Sequence, residues 1–137
     1  TSRTISFPRI SEILNCLVLC VMLLYQQIEP VGQMSIKTIS DIKSLRQEIS
    51  TSQDIIVKFG ADWCMPCKAM APIVEDIANT HNVNIVSVDI EGEGIEEILR
   101  EYHVSSVPTF VKIRGGEKTA SIVGTHSKGK LLEFITG

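Results

Sequence analysis

At 137 residues the chain has room for one domain, or for one small domain with an extension. Its 44% hydrophobic and 21% charged residues exclude a disordered or fibrous protein and suffice for a core that needs no disulfide staples. The formal net charge of −3 argues against a general nucleic-acid binder, which would be basic.

The first 33 residues differ from the rest. Arg3 and Arg9 precede an apolar run from Ile13 to Tyr25, 13 residues long and interrupted by Asn15. A membrane-spanning helix needs about 20 apolar residues, so the run suits a signal-peptide core or an embedded anchor better. The segment Val31-Gly32-Gln33 makes a poor cleavage site. A second reading stands beside the first. Met34 opens a segment, 34–137, with every feature of a complete small domain, and residues 1–33 are then an extension without a folded role. The two readings imply different locations: cytoplasmic if the chain starts at Met34, secretory or membrane-anchored if residues 1–33 are a working targeting segment. Contact with a membrane is expected only if residues 13–25 are an anchor. Cys16 and Cys20 lie one helical turn apart and read as small apolar residues, with lipid-facing or lipidated cysteines as the alternative.

From Met34 on, strand and helix patterns alternate. Ser35 to Thr38 reads as a short strand. Ser40-Asp41 caps a helix with the apolar stripe Ile42, Leu45 and Ile49. Ile55 to Phe59 has the β-branched content of a buried strand. A helix then carries Met70, Ile73, Val74 and Ile77 on one face, with Pro72 as a kink. Val83 to Ile90 is a second core strand, and Ile95, Ile98 and Leu99 mark the next helix. Thr109 to Ile113 and Ala120 to Val123 flank the turn residues Arg114-Gly115-Gly116-Glu117. Ser127 caps a last helix with Leu131, Leu132 and Ile135. The order βαβαβαββα predicts an α/β fold, a mainly parallel sheet covered on both faces and closed by an antiparallel hairpin.

The chemistry-bearing motif is Trp63-Cys64-Met65-Pro66-Cys67-Lys68, placed between a buried strand and the kinked helix. A cysteine at a helix start meets unpaired backbone N–H groups and the positive end of the macrodipole. Both favour thiolate, so Cys64 should titrate below the free value of about 8.5. Two intervening residues bring Cys67 within disulfide reach, and Pro66 fits a first turn, where its missing N–H costs little. Half of a zinc site is the competing reading. Zinc needs four ligands, and Cys16, Cys20, His81, His103 and His126 are scattered without ligand spacing, so no metal is expected. The histidines read as surface residues, with His126, near Gly124, the one placed to meet a partner.

Val57 to Ala78, VKFGADWCMPCKAMAPIVEDIA, resembles the active-site segment of the thioredoxin family, and the resemblance covers nearly all of residues 34–137. Val107-Pro108-Thr109 is similar to the family's cis-proline loop, and Val123-Gly124-Thr125 with Ser127-Lys128-Gly129 to its closing segment. The resemblance implies a central mixed five-stranded sheet flanked by four helices. It implies a reductase in which Cys64 attacks a target disulfide and Cys67 resolves the mixed disulfide. Trp63, Met65, Pro66, Val107, Pro108, Val123 and Gly124 would form an apolar collar, with the Val107 backbone pairing with an extended target. The redox centre is the Cys64–Cys67 pair itself, so no bound cofactor is implied. The implied partners are disulfide-containing proteins and a thioredoxin reductase drawing on NADPH, and a monomer is expected.

Three departures qualify the resemblance. Met65 replaces the usual Gly before the motif proline, and the residues between the cysteines help set the potential, where about 30 mV corresponds to about 1.4 kcal/mol. Lys58 stands where the family has a buried Asp, and Ile85 is read as standing where it has a partnering Lys. A cation there would lower the Cys64 pKa further and spare Cys67 a carboxylate base, unless Lys58 snorkels to solvent. Gly60 replaces a second Trp. Two other functions compete: a secretory oxidase or isomerase, against which Pro66 argues, and a non-catalytic binding subunit.

Overall fold

The computed structural model describes residues 9–27 and 36–137, and the chain divides into two compact units, residues 1–32 and 33–137. In the first unit one helix, α1 (Ile10–Gln27), carries the apolar run. Its side chains from Ile10 to Tyr25 are all exposed. None of the helices among the described residues is long and apolar enough to cross a membrane.

The second unit runs β1 (Lys37–Asp41), α2 (Ile42–Thr51), β2 (Asp54–Gly60), α3 (Met65–His81), β3 (Ile85–Glu93), α4 (Ile95–Glu101), β4 (Thr109–Arg114), β5 (Glu117–Val123) and α5 (Lys128–Thr136). The five strands form one sheet in the order β1-β3-β2-β4-β5. β3 pairs in parallel with β1 and β2, whereas β4 runs antiparallel to both β2 and β5. This is the thioredoxin fold, with four helices around a mixed sheet.

Two strands sit later than the sequence pattern suggests. The strand expected at Ser35–Thr38 is found at Lys37–Asp41; Ser35 itself lies outside the described residues. The one expected at Val83–Ile90 is found at Ile85–Glu93. Both shifts have one cause. β1 follows β3 in parallel register from Lys37↔Val86 to Asp41↔Glu93, with an irregularity between Ile39 and Asp41. Pairing to a neighbour, not local hydrophobicity, sets where these strands stop. The α2 cap falls on Asp41, whose carboxylate accepts from the Ser44 N–H at 2.8 Å.

Side chains alternate across β2. Ile55, Val57 and Phe59 join the core beneath α2 and α4, with Leu45, Ile49, Ile95 and Ile98. Ile56 joins the opposite core with Met70, Val74 and Ile77 of α3 and Leu131 and Ile135 of α5. The same alternation sends Lys58 and Gly60 toward α3, where the cysteine pair sits.

Candidate active site

β2 ends at Gly60, and Ala61, Asp62 and Trp63 lead into α3. Cys64 is the N-cap of α3, with extended backbone (φ −86°, ψ 105°), and its Sγ accepts the Cys67 N–H at 3.3 Å. A sulfur so placed satisfies one of the orphan donors of the first turn and lies at the positive end of the dipole, which favours its ionised form. Cys64 and Cys67 are disulfide-bonded, with Cα atoms 5.3 Å apart. Both are buried, and they form a small apolar cluster with Ala61, against which Ile90 and Val107 pack. Pro66 sits in the first turn, as its fixed φ and missing N–H allow. Pro72 lies inside the helix.

The sequence-derived collar residues come from separate parts of the chain, and Val107 among them packs against the cysteine pair. Trp63, Met65 and Val123 are 62%, 70% and 55% exposed, large apolar side chains left uncovered. The Val107–Pro108 bond is cis. Gly124 has φ +91°, a conformation suited to glycine, and its N–H donates to the Pro108 carbonyl at 2.9 Å, tying the two loops together. A groove of about 340 Å³ runs alongside, lined by Trp63, Ile90, Leu99, Val104 and Val107. His126, read from sequence as a partner contact, rests its ring Nε2 on the Val123 carbonyl at 2.9 Å.

One contact has no signal in the sequence. The Trp63 indole Nε1 donates to Glu91 Oε1 at 3.1 Å, across 28 positions of chain. Glu91 lies in β3, and the course of that strand brings it to Trp63.

Below the disulfide the two alternatives for Lys58 are decided, and the reading of Ile85 is corrected. Lys58 does not snorkel to solvent; it is 7% exposed, and its Nζ donates to the Cys67 carbonyl at 3.1 Å. The cause is strand alternation, which points its stem into the core shared with α3. Burial lowers its ammonium pKa from the ordinary 10.5, and the charge of Glu75 works in the opposite direction. The reading of Ile85 is corrected by the strand register. Ile85 pairs with Ile56, whereas the β3 residue opposite Lys58 is Ser87. A Cβ on Gly60 would meet Cys67 Sγ at 3.4 Å, so the small residue leaves the sulfur a close but unfilled neighbour.

Among the described residues no group of three or more His, Cys, Asp or Glu side chains is placed to hold a metal ion. Cys16 and Cys20 are free and exposed on α1.

Comparison with known proteins agrees with this geometry. The family model described as Thioredoxin matches residues 36–137. The chain is 37% identical over 97 residues to thioredoxin-T of Drosophila melanogaster, covering 68% of this chain and 62% of that one. It is 30% identical over 102 residues to a thioredoxin of Pyropia yezoensis, covering 74% of this chain and 95% of the relative. A bifunctional thioredoxin reductase/thioredoxin of Mycobacterium leprae is 32% identical over 98 residues; the match covers 72% of this chain but only 21% of that longer protein. The crystal structure of the Malassezia sympodialis thioredoxin superimposes with a TM-score of 0.67 at 30% identity, covering 79% of this chain and 94% of that one.

Proposed function

The chain belongs to the thioredoxin family, and from that premise we propose how its residues divide the reduction of a protein disulfide. It is a thiol–disulfide oxidoreductase, a protein-disulfide reductase whose redox centre is the Cys64–Cys67 pair. The oxidase, isomerase and purely non-catalytic readings are not favoured.

In the reduced protein Cys64 thiolate attacks one sulfur of a target disulfide, and the other target sulfur leaves as thiolate. Cys67 then attacks Cys64 Sγ, the internal disulfide closes, and the second target thiolate is released. Two electrons pass from the dithiol to the target, and water supplies the protons that the target thiolates take up. One observation carries the order of attack: Cys64, not Cys67, caps the helix and receives its N–H. Trp63, Met65, Val107, Pro108, Val123 and Gly124 dock the target, with the Val107 backbone pairing with an extended segment. Met65, Pro66 and Lys58 tune the potential. The disulfide serves as its own electron carrier, so the reaction calls for no bound cofactor.

The electron donor we assign is a thioredoxin reductase. The relative from Mycobacterium leprae, whose name joins a thioredoxin reductase to a thioredoxin, supports that pairing. A monomer suffices for the cycle, since both thiols and the collar come from residues 58–124 of one chain. Insulin reduction by dithiothreitol tests the function: the wild type should accelerate precipitation of the insulin chains, and Cys64→Ser should leave only the uncatalysed rate. Equal rates with and without the wild-type protein would refute it.

A further inference from the structure

Lys58 is the one buried charged side chain among the described residues, and it lies under the half of the disulfide that does not cap the helix. Its Nζ donates to the backbone carbonyl of Cys67, whereas the Cys64 sulfur accepts from the Cys67 N–H. The cation therefore meets the backbone of Cys67, while the helix N–H meets the sulfur of Cys64.

The setting of the amine is polar. In the sheet register Thr38 of β1, Ser87 of β3 and Lys58 of β2 form one row across three strands, and Asp89 stands opposite Gly60 in a neighbouring row. These residues, with Cys67 and Lys68, line a cavity of about 330 Å³ beneath the first turn of α3. Such a volume, lined in part by polar side chains, has room for several waters. A buried ammonium in contact with this space keeps part of its solvation, which favours the charged form relative to a dry core. The other charged groups around it are Asp62, Lys68 and Glu75 from the α3 side and Asp89 from β3. Lys58 alone among them hydrogen-bonds to Cys67.

We propose that Lys58 is a positioning residue for the resolving step: its ammonium holds the Cys67 end of the first turn and stabilises the Cys67 thiolate. The resolving thiol is then activated by a fixed cation rather than by a base that accepts its proton. In the mixed disulfide, Cys67 loses its proton to water in the cavity, and its thiolate attacks Cys64 Sγ. The Cys64–Cys67 bond forms as the bond from Cys64 to the target breaks. The electron pair goes to the target sulfur, which is protonated from solvent. This inference rests on the dithiol cycle proposed above and adds to it the means by which Cys67 ionises.

The test titrates Cys67 alone. In a background carrying Cys16→Ser, Cys20→Ser and Cys64→Ser, thiolate absorbance is followed against pH with Lys58, Lys58→Met, Lys58→Gln and Lys58→Arg. The expected result is a Cys67 pKa at least one unit higher in Lys58→Met and in Lys58→Gln, returned toward the starting value by Lys58→Arg. Glutamine keeps a donor for the Cys67 carbonyl without the charge and stands in if the methionine variant does not fold. A Cys67 titration that is the same with lysine and with glutamine overturns the proposal. Insulin reduction by the wild type is run in parallel. Activity with an unmoved Cys67 titration removes the role of Lys58 alone, and absence of activity removes the dithiol cycle itself.

Discussion

Cys16 and Cys20, like Cys64 and Cys67, form a closely spaced pair associated with a helix, yet only Cys64 and Cys67 are bonded to each other. The difference lies in where the helix starts. Cys16 and Cys20 are both interior to α1, so their Cα–Cβ bonds tilt the same way along the axis, and every N–H around them is already used by the helix. Cys64 lies just outside α3 in extended backbone, so its sulfur folds over the first turn toward Cys67 and takes a free N–H. Spacing permits a disulfide; position at a helix end gives it a reactive member.

The largest expected effect breaks that comparison directly. Cys64→Ser should reduce insulin reduction to background, while the double change Cys16→Ser, Cys20→Ser should leave the rate of the wild type. A drop in rate for the second variant would mean that the α1 pair takes part. Packing offers the next test, because the two helices differ in burial as much as in chemistry. Ile77 of α3 is fully buried, and Ile77→Ala should cost about 2–5 kcal/mol. Leu19 of α1 is 56% exposed, and Leu19→Ala should leave the unfolding midpoint of the unit 33–137 unmoved. Calorimetry or urea unfolding monitored through Trp63 distinguishes the two.

Lys58 sharpens the contrast through pH. Burial depresses its folded-state pKa below the unfolded 10.5, so in the window between those two values the unfolded chain holds a proton that the folded chain has lost. Stability should therefore rise as pH increases through that window. Lys58→Met should remove this rise and be the more stable protein at neutral pH, since no charge is then taken out of water. Urea midpoints at neutral and alkaline pH for the two proteins provide the check, and a parallel pH dependence in both would contradict it. The smallest effect concerns a helix start without a sulfur. Ser127 caps α5 by accepting from the Lys130 N–H, and Ser127→Ala should cost about 1 kcal/mol without changing insulin reduction.

Much of this was legible from residue order. The stripe Met70, Val74 and Ile77, the turn at Gly115-Gly116 and the cap at Ser127 each follow from local rules, and each is where the sequence places it. What local rules missed was set by register between strands. The parallel pairing of β1 with β3 moved both strands toward later residues, and the pairing of β2 with β3 put Ser87, not Ile85, opposite Lys58. A lone lysine in a β-branched run reads equally as buried or as reaching for solvent; its shared face with Ile56 and the cover of α3 decide for burial. Glu91 of β3 meets Trp63 across 28 positions of chain, and nothing within a few residues of either announces it.

The central claim is that Cys64 makes the first bond to the target. Mass spectrometry of Cys67→Ser after exposure to a disulfide-containing protein measures it. The account predicts a stable mixed disulfide on Cys64 and little or none on Cys67 when Cys64→Ser is treated in the same way. An adduct that forms as fast on Cys67, or no adduct with either variant, would contradict it.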